Sequence, residues 1–95
     1  MLIDKGFTKN DIVSLKLLNG DEIIARFESE TATEIKIDRP LAITVTGSGL
    51  GMIPWIFLGD KDVMTLQRAH VFAMIPSKRD AANQYMAGTT TIALS

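Results

Sequence analysis

Residues 13–27 read VSLKLLNGDEIIARF, two alternating apolar runs joined across Asn19-Gly20. Asn-Gly between such runs is the strongest short-range signal for a β-hairpin. Val13, Leu15 and Leu17 precede the turn and Ile23, Ala25 and Phe27 follow it, all at odd positions. A three-residue loop over Leu18, Asn19 and Gly20 keeps these side chains on one face, with Gly20 taking the left-handed conformation at no steric cost. A two-residue loop would set Lys16 opposite Ile23 and mix the faces, because a one-residue slip reverses side-chain direction. Register therefore favours the longer loop.

Beyond the polar turn Glu30-Thr31-Ala32 the odd positions resume as Ile35, Ile37, Leu41, Ile43 and Val45, which predicts one long, half-buried strand. Pro40 removes a backbone donor within it and predicts an edge position or a bulge where the strand bends. Gly47 to Gly51 reads as a loop. It is not a dinucleotide fingerprint, since the third glycine of that motif would fall at Met52 and no βαβ unit surrounds it. Met52 to Leu58, Val63 to Leu66 and His70 to Ile75 read as further short strands, with turns at Gly59 to Asp62 and at Gln67-Arg68-Ala69.

Ser77 to Asp80 has the form of a helix cap, predicting a short helix over 77–88 with Gly88 as its stop. The expected organisation is an N-terminal arm over 1–11, either irregular or with a helical turn capped by Thr8 or Asn10, then a barrel over 12–76, the helix, and a tail over 89–95. The β-branched tail suits disorder or an added strand. Five or six short strands without a long crossover helix predict an all-β, antiparallel meander, and closing it into a small barrel removes its edges.

Composition narrows the function classes. A chain of 95 residues is one domain, and its 46% hydrophobic content is high enough that some apolar side chains are candidates for an oligomer interface. The formal charge of −1 lacks the basicity of a strong nonspecific polyanion binder. Cysteine is absent, which removes thiol catalysis, disulfides and cysteine-based zinc sites. With one histidine and no nucleophile setting, no catalytic residue, metal site or cofactor is expected. The opening residues do not read as a secretory signal and no apolar run is long enough for a membrane span, so a cytoplasmic location is the default.

The stretch VSLKLLNGDEIIARFESETATEIKI is similar to the first motif of the Sm and Sm-like family, which includes a bacterial RNA chaperone. The segment RAHVFAMIPS resembles that chaperone's second motif, with Arg68 and Ala69 at its Lys-His pair, and the likeness covers roughly Ile12 to Ile75. The resemblance implies a strongly bent five-stranded Sm-like barrel that self-associates into a homo-oligomeric ring and binds single-stranded RNA near its pore, in RNA processing or regulation. On the family's pattern the RNA-contacting positions are Thr33 and Glu34 after the hairpin and Gln67 and Arg68 in the second motif, while His70, which falls at the chaperone's Ala, is an RNA-binding candidate through its own ring.

Each of these residues also has a structural reading. Thr33 lacks the aromatic platform usual at its position, and a carboxylate at Glu34 meets phosphate unfavourably. Arg68 can reach phosphate or stack on a base, or be a solvated surface arginine; His70 and Gln67 can contact bases or serve the strand start. Trp55 and Phe57 on one strand face suit core or interface packing, and Asp60 and Asp62 suit a solvated turn. The alternative expectation keeps the ring but makes it a structural or protein-interaction module that binds no nucleic acid, favoured by Thr33, Glu30, Glu34 and the negative charge.

Overall fold

The computed structural model describes residues 2–3 and 6–94, with side chains over 6–89. The strands are β1 (Leu2–Ile3), β2 (Ile12–Leu17), β3 (Glu22–Glu30), β4 (Glu34–Thr46), β5 (Gly49–Pro54), β6 (Val63–Gln67) and β7 (Val71–Pro76); a 3-10 turn over Arg68–His70 joins β6 to β7, and helix α1 (Arg79–Leu94) follows.

β2 and β3 form the expected hairpin, with Leu15 opposite Ile23 and Lys16 opposite Glu22. The Leu17 N–H donates to the Asp21 carbonyl at 2.9 Å and the Gly20 N–H to the Leu17 carbonyl at 3.0 Å, so the loop is Leu18-Asn19-Gly20. Gly20 has φ +98°, the conformation a side chain would resist. The Asn19 carbonyl oxygen accepts from the Asp21 N–H at 3.0 Å, the local bond that makes asparagine a turn former. All six odd positions flanking the loop are buried. They form one core with Ile35, Ile37, Val71 and Met74, and Phe7, Trp55, Met64 and Leu66 pack at its margin.

Proline reshapes β4 as anticipated, but with a consequence for side-chain direction. β3 pairs Arg26 with Asp38 and Ile24 with Leu41, so β4 carries an extra residue there, and Arg39 sits at φ +50°. This bulge reverses the alternation. Ile35 and Ile37 face the core, whereas Leu41, opposite Ile24, lies on the other side with Ile43 and Val45. The expectation of one continuous odd-numbered face is thus corrected. The same bulge releases the carbonyls of Asp38 and Arg39, and the Tyr85 hydroxyl lies 2.9 Å from each.

Asp38 is half-buried, 3.9 Å from Arg26 and 4.0 Å from Arg39. Burial pushes its carboxyl above the usual carboxylate range, a shift that the Arg39 charge opposes and the carboxylates of Asp62 and Glu28 reinforce. A carboxyl with a raised folded-state pKa holds its proton more tightly in the fold than in the unfolded chain, so its contribution to stability falls as pH climbs through that pKa. Asp38→Asn should therefore melt at or slightly above the parent at neutral pH, with the difference closing below the carboxylate range. Thermal melts at both pH values test this, and a variant that melts lower at neutral pH would show that the two arginine contacts outweigh desolvation.

The fold class differs from the sequence expectation. Instead of an all-β, five-stranded closed Sm-like barrel, the chain forms an open seven-stranded sheet in the order β1-β7-β2-β3-β4-β5, with β6 also pairing β4. Two pairings account for the difference. β1 runs parallel to β7 at Ala73 and Met74 and occupies the outer edge of β7 that a closing strand would need. β5 pairs the second half of β4 from Leu41 to Thr46, while β6 takes the first half from Glu34 to Asp38. Among the described residues no ladder joins the two ends of the sheet.

Several boundaries move for local reasons. Gly47-Ser48 alone form the turn between β4 and β5, so Gly49 to Gly51, expected in a loop, lie in β5, which ends at Pro54 rather than Leu58. The arm expected over 1–11 includes β1, and the stretch before β2 is turned by Asp11, whose carboxylate accepts from the Thr8 N–H at 2.9 Å. α1 spans Arg79–Leu94 rather than 77–88. Ser77 does not cap it: its hydroxyl bonds that of Ser14 at 2.8 Å and its N–H donates to the Ile12 carbonyl at 3.1 Å, tying the helix start to β2. The helix passes through Gly88, and most of the segment expected as a tail over 89–95 is helical; Ser95 lies outside the described residues. Tyr85, fully buried, fixes the helix across the sheet.

Candidate functional site

Three surface features compete for a functional role. The first gathers most of the residues expected to contact RNA. Glu34 opens β4 and Gln67 ends β6, and the two are register partners whose side chains meet at 3.4 Å. The Arg68 N–H donates to the Thr33 carbonyl at 2.8 Å, which holds the 3-10 turn against the β3–β4 loop. Thr33 is exposed, its N–H and that of Glu34 both reaching the Thr31 hydroxyl. The Arg68 guanidinium pairs with Glu30 at 3.0 Å and lies 3.4 Å from the Thr31 carbonyl. Thr33, Glu34, Gln67 and Arg68 therefore come together, but the arrangement spends the arginine on a neighbouring carboxylate. A phosphate brought here meets the charges of Glu30 and Glu34 as well as that of Arg68.

His70 is not part of this cluster. It ends the 3-10 turn, its carbonyl accepts from the Leu18 N–H at 2.9 Å, and it borders a shallow pocket between the β2–β3 loop, Trp55 and Leu66. Trp55 is packed at the core margin, with its indole N–H donating to the Asp21 carboxylate at 3.2 Å. That bond locks the hairpin turn. Because β5 stops at Pro54, Trp55 and Phe57 do not share the strand face expected for them: Trp55 turns inward, whereas Phe57 is 71% exposed.

The second feature is a cleft of about 380 Å³ between the β4 bulge and the loop before β6, floored by Pro40, Leu41 and Met64. Arg39 borders it, with its Nε 3.6 Å from Asp62 and its backbone N–H donating to the Asp62 carbonyl at 2.7 Å. These bonds hold the loop to the bulge, and the cleft's arginine is thereby shared with Asp38 and Asp62. Among the described residues, no group of three or more His, Cys, Asp or Glu side chains is placed to hold a metal ion.

The third feature is apolar, and of its members the sequence singled out only Phe57, paired with Trp55 for core or interface packing. The bulge puts Leu41, Ile43 and Val45 of β4 beside Pro54, Met52 and Leu50 of β5 on the helix-side face. Val45 is 84% and Leu50 63% exposed, and after β5 the chain displays Ile56, Phe57 and Leu58, the last 97% exposed. The outer side of β5 pairs with no described strand. β5 carries no charged residue, and its only edge-blocking residue is Pro54 at its end. The signal available in sequence was the run Ile56-Phe57-Leu58 followed by a polar turn, which alternation rules alone assign to a strand.

No protein-family model and no curated protein matches the chain. Together with the open sheet, this removes the basis for membership of the Sm and Sm-like family. The ring and the RNA contacts followed from that resemblance and are not carried forward.

Proposed function

We propose that this protein is a non-catalytic protein-interaction module whose working surface is the apolar flank formed by β5, the end of β4 and residues 56–58. The observation that carries this reading is the exposure of Ile56, Phe57 and Leu58 next to a strand edge free of charge. Water is a poor neighbour for such a surface, and contiguous apolar patches on soluble domains mark places where another macromolecule docks. An uncovered edge adds backbone donors and acceptors that a partner can satisfy, so recognition through it combines main-chain bonding with apolar packing. The acidic surroundings of Arg68 favour this reading over nucleic-acid binding.

A photo-crosslinking amino acid placed at Phe57 in the producing cells should give covalent adducts with protein, and purified protein should retain no single-stranded RNA at low salt. Absence of any adduct at Phe57, or RNA binding tighter than about 1 μM, would overturn the proposal.

A further inference from the structure

Resting on the interaction reading, we infer that the partner of the apolar flank is a second copy of this chain, joined edge to edge through β5 about a two-fold axis at Met52. The inference starts from the strand's own sequence, Gly49-Leu50-Gly51-Met52-Ile53-Pro54. Two copies placed antiparallel about an axis perpendicular to the sheet keep their helix-side faces on the same side, because the axis turns each copy within the sheet plane. With Met52 on the axis, the two Met52 side chains meet, each Leu50 falls beside the other copy's Pro54, and each Gly51 falls opposite the other copy's Ile53.

The same register explains the flanks. Residues 56–58 leave β5 just after its last residue, so the two-fold axis sets this segment of one copy on the side of the other copy's β4–β5 tip, where Val45 and Leu50 are exposed. The two most exposed apolar groups on this side of the molecule, at the tip and in the 56–58 segment, therefore cover one another reciprocally. An isologous contact requires this kind of self-complementarity. A partner strand without such a tip would leave residues 56–58 uncovered.

Area supports the choice of occupant. The exposed surface of Val45, Leu50, Ile53, Ile56, Phe57 and Leu58 is on the order of 700 Å², the most these side chains can bring toward the roughly 800 Å² per partner of a standard stable interface, with the paired backbone adding the rest. No charge opposes the match, since neither β5 nor residues 55–58 carry one that would face its own copy across the axis; Pro54, which has no N–H to give, ends the ladder on each side.

The absence of native cysteine makes the geometry directly testable. Directly opposed residues in an antiparallel pair lie about 4.5–5.5 Å apart at Cα, within the range a disulfide spans. Met52→Cys under a mild copper oxidant should convert to a covalent dimer at least tenfold faster than Ala69→Cys, an exposed control on the 3-10 turn away from β5. The parent should sediment as a dimer at about 100 μM, and Leu50→Lys, which places a charge at the paired edge, should weaken that association at least tenfold.

A monomeric parent at that concentration overturns the inference, and if Phe57 adducts with other proteins then form, the interaction reading survives without self-pairing. An associating parent in which Met52→Cys crosslinks no faster than the control places the contact elsewhere and overturns the β5 assignment alone. A monomeric parent without Phe57 adducts removes both.

Discussion

Tyr85→Ala is expected to destabilise the protein by about 3–5 kcal/mol, the range for removing a large buried ring. Among the described side chains of α1, Tyr85 is the one large group that is fully buried, and its hydroxyl reaches the carbonyls of Asp38 and Arg39 released by the β4 bulge. The alanine variant loses the ring's packing and uncovers two backbone acceptors together. Chemical denaturation monitored by Trp55 fluorescence reads the loss, and a change below about 1 kcal/mol would show that the helix is not anchored by this residue.

Tyr85 also makes stability depend on alkaline pH. Burial, with a further contribution from the Asp38 charge, pushes the phenol up to about 12 from 10.0. An acid whose folded pKa is raised favours the protonated fold, so stability is complete below the unfolded pKa and declines as pH rises from there toward the folded value. The parent should lose on the order of 3 kcal/mol across that window from this group. Tyr85→Phe should start lower by about 1–2 kcal/mol, because it gives up the hydroxyl donor, but should lack that part of the alkaline decline. Parallel profiles for parent and Tyr85→Phe would remove the phenol from the account.

Ile37→Ala is the second substitution with a large expected cost, about 2–5 kcal/mol, and Ile43→Ala on the same strand should cost under about 1.5 kcal/mol. Both residues are odd-numbered isoleucines of β4, and alternation alone treats them alike. They differ because the bulge at Arg39-Pro40 lies between them: Ile37 is fully buried in the core, while Ile43 is half-buried on the helix-side face. Denaturant titration of the two variants separates the possibilities. Equal costs would mean that β4 presents one continuous face to the core.

This pair of residues also marks where sequence legibility stopped. The β2–β3 hairpin was readable to its loop length because every determinant is local: Asn19, Gly20 and the parity of six apolar positions. Pro40 announced a bulge, but whether an extra residue flips the following side chains depends on how β3 re-registers across it, which is a tertiary event. The glycines of β5 read as a loop since their intrinsic preference is for turns, and pairing with β4 overrode it. Gly88 and the threonines after it read as a helix end, yet the helix continues, with the buried Thr89 hydroxyl bonding back to the Tyr85 carbonyl at 2.9 Å.

Legibility of the site was of a different kind. Four of the five proposed RNA contacts do converge, because Glu34 and Gln67 are register partners and Arg68 follows directly. Their electrostatic setting was harder to read, since it required knowing that Glu30 reaches Arg68 across the end of the sheet. The apolar flank was hidden because its members come from β4, β5 and the following loop, and their shared exposure is set by the bulge rather than by spacing along the chain.

The parallel β1–β7 pair, which keeps the sheet open, carries a consequence for the order in which the molecule assembles. The β2–β3, β3–β4 and β4–β5 ladders join consecutive strands and β4–β6 skips only β5, whereas Leu2 must find Ala73 from almost the opposite end of the chain. Closing so long a loop costs chain entropy that two residues of ladder repay poorly. The meander of β2 to β6 therefore has the means to form first, β7 joins it beside β2, and β1 docks onto a nearly finished sheet. Until it does, the outer edge of β7 is a second open edge, so the folding chain passes through an interval in which both ends of the sheet are available to another strand.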